Sequence, residues 1–139
     1  MELKDIVAVS GKPGLYEVKA QSKGGIIVAS LIDGKKFPIT ATHNISALNE
    51  IAIYTYEEEV PLRVILKAIG EKENGLEAIS PKENGKMLTS YFREILPNFD
   101  EERVYTSNIK KVLQWYNLLA SKKFDFTAIQ EDEQETEEA

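Results

Sequence analysis

The stretch Ile51-Ala52-Ile53-Tyr54-Thr55-Tyr56-Glu57-Glu58-Glu59-Val60-Pro61-Leu62-Arg63-Val64-Ile65-Leu66-Lys67-Ala68-Ile69-Gly70 changes its period halfway along. Up to Tyr56 it alternates, with Ile51, Ile53 and Thr55 opposing Ala52, Tyr54 and Tyr56, as a half-buried strand does. After Pro61 the apolar positions are Leu62, Ile65, Leu66 and Ile69, the spacing of an amphipathic helix. Pro61 just inside the start and Gly70 just past the end match the usual asymmetry of helix termini, so the pattern predicts a helix that stops before Gly70. Glu57, Glu58 and Glu59 lie between the two patterns. Paired carboxylates serve metal or acid–base chemistry, but consecutive side chains point in different directions. Negative charge ahead of a helix complements its dipole, and the run reads as a cap. A switch from strands to helices at this point predicts an α+β protein.

Working back from Ile51, the chain reads as short strands. Ser10-Gly11-Lys12-Pro13-Gly14 is a turn cluster. Tyr16, Val18 and Ala20 then alternate with Glu17 and Lys19. Gly24-Gly25 turns the chain into the apolar run Ile26 to Leu31, and Asp33-Gly34 reads as a type I′ hairpin turn. Phe37 and Ile39 share a face, and Pro38, which has no amide donor, places that strand at an edge or a bulge. Four or five short strands joined by tight turns predict a small SH3-like β-barrel or a bent antiparallel sheet.

Working forward from Gly70, the chain reads as helices. Leu76 to Ile79 is a short extended link. Ser80-Pro81-Lys82-Glu83 has the form of a capping box with Pro at the first helical position. Behind it Met87, Leu88, Tyr91, Phe92 and Ile95 line one face up to Pro97. Thr106-Ser107 opens the longest helix, with Ile109, Val112, Leu113, Tyr116, Leu119 and Ala120 on one stripe. The expected layout is a barrel-like domain over 1–58, a three-helix domain over 59–127 and a disordered acidic tail over 128–139.

The 139 residues carry 17 Lys and Arg against 23 Asp and Glu, for a net charge of −6. Six of the acids lie between residues 131 and 138, where there is no base, so residues 1–127 are balanced. The acidic end reads as a solubilising segment, or as an acidic lure for a basic partner. With no cysteine, disulfides and thiolate sites are excluded, and with one histidine so is a His-rich metal site. The apolar run Ile6 to Val9 is too short for a leader or a spanning helix, and a cytoplasmic setting with no membrane contact is expected. No cofactor fingerprint is present, and neither cofactor nor metal is expected.

Three stretches carry a family likeness. They are Met1 to Tyr16, Asp33 to Pro38, and Arg103 to Tyr116, the last reading Arg103-Val104-Tyr105-Thr106-Ser107-Asn108-Ile109-Lys110-Lys111-Val112-Leu113-Gln114-Trp115-Tyr116. Together they resemble a family of uncharacterised Bacteroidetes proteins that pair an N-terminal domain of unknown function with a helical C-terminal one. The resemblance implies a two-part layout and a bacterial cytoplasmic setting, and it brings no catalytic residue with it.

Four groups of residues are candidates for function. Gly11, Lys12 and Gly14 spell the GxxG of a phosphate-clamping loop, but they precede a strand rather than join two helices, and a plain turn is the simpler reading. His43, in a turn-like stretch, reads as a hydrogen-bonded turn residue rather than a proton carrier. Tyr16, Tyr54 and Tyr56 are candidates for an aromatic groove on the barrel. Lys111, Trp115, Leu118 and Lys122, with Lys110 beside them, follow i, i+4, i+7, i+11 spacing beside the main apolar stripe of the last helix. This surface suits core or interdomain packing, a protein partner or a second copy, and less readily a nucleic-acid strand. The expectation is a non-enzymatic binding or adaptor module acting through protein–protein contact. A nucleic-acid-associated protein using Lys12, Lys35, Lys36 and the last-helix lysines is the alternative, and an enzyme has least support.

Overall fold

A computed structural model describes residues 3–9, 11–12, 14–40 and 44–129. The expectations for His43 and for the acidic segment beyond residue 129 lie outside the described residues.

Five strands form one antiparallel sheet: β1 (Ile6–Val9), β2 (Tyr16–Ser22), β3 (Gly25–Ser30), β4 (Lys36–Thr40) and β5 (Ile45–Ala47), in the order β4-β3-β2-β1-β5. The edges β4 and β5 do not pair with each other, so the sheet is open and the barrel alternative does not hold. Pro38 stands on the edge strand β4, where its missing N–H costs no ladder bond. Val7, Val9, Tyr16, Val28 and Ile39 form a hydrophobic cluster on one face, to which β1, β2, β3 and β4 all contribute. Val28 has no exposed surface within this cluster.

The Asp33-Gly34 turn differs from the type I′ expectation. Gly34 alone takes positive φ, at 77°, because the Asp33 carboxylate accepts the Lys35 amide at 2.9 Å and holds Asp33 in ordinary backbone space. Ser30 N–H to Lys35 O, at 2.9 Å, closes a wider loop. Leu31, at its start, reaches down into the main core.

The strand at Ile51 to Tyr56 leaves the five-stranded sheet altogether. Its core, β6 (Ala52–Tyr54), pairs with β7 (Glu59–Pro61). Thr55 explains the return: its buried hydroxyl accepts the amides of Glu57 and Glu58 at 3.1 and 2.9 Å and donates to Glu58 O, closing a tight turn. The three glutamates therefore occupy this turn and the start of β7. No acid lies in the first turn of the helix that follows, so they do not cap it.

That helix, α1 (Leu62–Glu73), runs through Gly70 and ends at Asn74, which takes the left-handed conformation. Gly70 marks a packing contact in place of a stop: a Cβ there would sit 2.5 Å from Phe126 Cβ. Helix α2 (Gly85–Ile95) starts later than its sequence pattern suggests. Asn84 caps it by accepting the Met87 amide at 2.9 Å. Ser80 spends its hydroxyl on the Lys82 amide at 3.1 Å and forms only an isolated turn. Helix α3 (Thr106–Ser121) starts where expected, and the Asn108 side chain accepts the Tyr105 amide at 2.8 Å.

One core joins both halves of the chain. Leu3, Ile6, Leu15, Leu31 and Leu48 pack with the apolar stripes of α1, α2 and α3. Arg63, buried on α1, donates to Asn49 O at 3.1 Å across the junction. The packed fold also extends past residue 127. Phe124, Phe126 and Ile129 are buried in the same core, which corrects the assignment of Ile129 to the tail.

Candidate functional site

Helix α3 brings Lys111, Trp115, Leu118 and Lys122 onto one face, Lys122 being its C-cap residue. Ile109, Val112, Leu113, Tyr116 and Leu119 bury the opposite stripe. Trp115 and Leu118 are half-buried and packed against the edge of the core, while Lys110, Lys111 and Lys122 are exposed. From Thr106 to Lys123 there are four lysines and no acid. Among the described residues none of these lysines takes an ion pair. Elsewhere Lys72 meets Glu94 at 2.8 Å and Arg93 meets Glu101 at 3.0 Å.

The β half completes this face. A Cβ placed on Gly14, whose φ is +81°, would lie 2.7 Å from Ile32 Cδ1 and 3.7 Å from Leu118 Cδ2. The turn after β1 therefore meets both the loop after β3 and the last helix. Ile32 is 57% exposed. Sequence spacing could not show this meeting, because it rests on the path of two loops. Lys12, in the same turn, donates its amide to Val9 O at 3.0 Å and lies over the Phe37 ring at 5.0 Å. Gly11, Lys12 and Gly14 thus form the connection between two antiparallel strands, and one of the turn's amides is already taken.

The three tyrosines do not share a groove. Tyr16 is buried in the sheet's own cluster, edge-on to Phe37 at 5.3 Å, and burial followed by the Asp33 charge raises its phenol pKa. Tyr54 stands on the other sheet and Tyr56 in the bend after it, where β6 and Thr55 run beside the segment 98–100 through Asp100 N–H to Tyr54 O at 2.9 Å and Tyr56 N–H to Asn98 O at 3.0 Å. Arg103 lies 4.4 Å over the Tyr54 ring and 2.8 Å from Asp100. That hydrogen bond holds the Asp100 carboxyl below the usual range.

Behind the face, α3 anchors the link that precedes α2. Tyr116 donates to Leu76 O at 2.6 Å, and the Asn117 side chain accepts the Ala78 amide at 2.7 Å and donates to Ile79 O at 3.3 Å. Burial, then the Glu73 charge, pushes the Tyr116 phenol up to about 12 from 10.0. Between these values the unfolded chain has released a proton that the folded chain keeps, so stability falls as pH rises from 10 to 12 and is fully present below 10. Tyr116→Phe loses a hydrogen bond and should cost about 1 kcal/mol at pH 7. Its deficit should shrink as pH rises from 10 to 12, since the variant lacks this titration. Urea unfolding at both ends of that range checks this, and a constant deficit would contradict it.

Two family models match the chain. Residues 3–48 match Domain of unknown function (DUF5606), and residues 51–119 match Domain of unknown function (DUF6852). A protein from Bacteroides vulgatus with a solution NMR structure is similar over nearly the whole chain. It is 38% identical with a TM-score of 0.72, and the match covers 94% of this chain and 97% of that one. No curated protein matches the sequence.

Proposed function

This chain belongs to the family of the Bacteroides vulgatus protein, and on that premise we propose that it is a non-enzymatic binding module acting through protein–protein contact. One observation carries the reading: half-buried Trp115 and Leu118 share the outer face of α3, Leu118 lies close to Gly14, which in turn meets Ile32, and the face is rimmed by lysines without ion pairs among the described residues. A large aromatic ring seated in a partly desolvated centre with a charged rim is the composition that concentrates binding energy at protein interfaces. The Tyr54 and Tyr56 corner is a separate surface, with its arginine and acids already paired. No helix among the described residues is long and apolar enough to cross a membrane, and we place the module in the bacterial cytoplasm.

A nucleic-acid role is the second reading, favoured by the lack of any acid from Thr106 to Lys123. Affinity of that kind comes from neutralising many phosphates, and a face with four lysines on a chain of net charge −6 offers little for it.

The test is affinity capture with the full chain and with Trp115→Ala, after nuclease treatment, read by quantitative mass spectrometry. A partner enriched by the parent at least about tenfold over the variant, equivalent to about 1.4 kcal/mol, is expected. Equal recovery by the two proteins rejects the α3 face, and loss of all recovery on nuclease treatment favours the second reading.

A further inference from the structure

The lysine rim narrows the partner's chemistry. Lys110, Lys111, Lys122 and Lys123 bracket Trp115 and Leu118 along α3, and Ile32 adds an exposed aliphatic side chain from the β half. We propose that this face takes an acidic peptide segment carrying one large apolar side chain, the apolar group against Trp115, Leu118 and Ile32 and the carboxylates against the lysines. This rests on the α3 face being the binding surface, and it goes further by naming what binds.

Charge complementarity carries the argument. Eighteen residues from Thr106 to Lys123 hold four cations and no anion, on a chain that is otherwise rich in acid. Exposed lysines scattered over a surface are ordinary. Lysines flanking a half-buried tryptophan, with no carboxylate on the same helix, leave a positive field that nothing on α3 cancels. The centre of the face is apolar, which favours an aliphatic or aromatic anchor over a phosphate backbone. The chain itself holds a stretch of the matching charge, with six acids and no base between residues 130 and 139. That stretch has no large apolar residue, so it matches the rim and lacks the anchor.

Trp115 is the single tryptophan, so its fluorescence reports this face directly. The probe is a synthetic twelve-residue peptide with six glutamates and a central leucine, titrated into the full chain in low salt. Controls are the same peptide with lysines for glutamates, the same peptide with alanine for leucine, and a single-stranded oligonucleotide of equal charge. A saturable change with the acidic peptide is expected. It should weaken at least about threefold when leucine becomes alanine, a loss of about 0.65 kcal/mol. It should weaken at least about tenfold in Lys111→Glu/Lys122→Glu, and measurably in the neutral pair Lys111→Gln/Lys122→Gln. Both changed side chains are exposed, and circular dichroism confirms the fold of each variant. The proposal is overturned if the acidic peptide gives no saturable change, if the charge-reversed chain binds it equally, or if the oligonucleotide binds as tightly. Failure here with a Trp115-dependent partner still captured removes the acidic ligand and keeps the binding face. Loss of Trp115 dependence in capture removes the face itself.

Discussion

Phe92→Ala is expected to destabilise the fold by about 3–5 kcal/mol. Phe92 has no exposed surface, and it sits on α2 with its ring edge-on to Phe99 at 5.0 Å and 80°. Phe99 faces Thr55 across an isolated β-bridge, so the cavity opens beneath the turn that brings β6 back as β7. That loss is a large share of the roughly 5–15 kcal/mol available to an ordinary domain. The urea midpoint should fall steeply, with the slope unchanged if unfolding stays cooperative. Leu113→Ala, also fully buried, should cost about 2–5 kcal/mol. A midpoint unmoved by either change would mean that these side chains are not core.

Gly70→Ala is expected to destabilise by about 1–3 kcal/mol, opposite in sign to helix propensity. In a helix interior alanine is favoured over glycine by about 1 kcal/mol. Here the added methyl would stand 2.5 Å from Phe126 Cβ and 2.8 Å from its Cγ. Phe126 has little room to yield, because it stacks on Tyr116 at 4.6 Å and meets Phe124 edge-on at 5.1 Å. A double-mutant cycle isolates the clash: in a Phe126→Ala background Gly70→Ala should become neutral or stabilising. Destabilisation of equal size in both backgrounds would place the cause elsewhere.

The same glycine shows where sequence reading succeeds and where it stops. The stripe from Leu62 to Ile69 predicts α1, and the stripe from Ile109 to Leu119 predicts α3 with its four-residue outer face, because periodicity reports burial directly. Gly70 reads as a terminator because propensity is local, whereas its role depends on Phe126, more than fifty residues away. Asn84 and Ser80 are both good caps by type, and only their hydrogen bonds separate them. Ile51 to Tyr56 has the alternation of a strand, but alternation carries no information about which neighbour it pairs with. Thr55, a residue of ordinary type, decides that. Ile6 to Val9 and Ile45 to Ala47 are too short to announce themselves, yet they are adjacent strands of the sheet. For the candidate face, the helix spacing was legible, whereas the arrival of Gly14 and Ile32 was not.

The single core shared by the sheet and the helices also bears on how the chain is made. Leu3, Ile6, Leu15, Leu31 and Leu48 leave the ribosome well before α3, the last helix of the core they share. Leu48 and Leu119 are about seventy residues apart, which at about 5–20 residues per second is roughly 4–14 s of synthesis. During that interval the newborn N-terminal half has only part of its core to pack against, α1 arriving before α2 and α3. Its open sheet edges and unfinished core leave apolar surface exposed until α3 is translated.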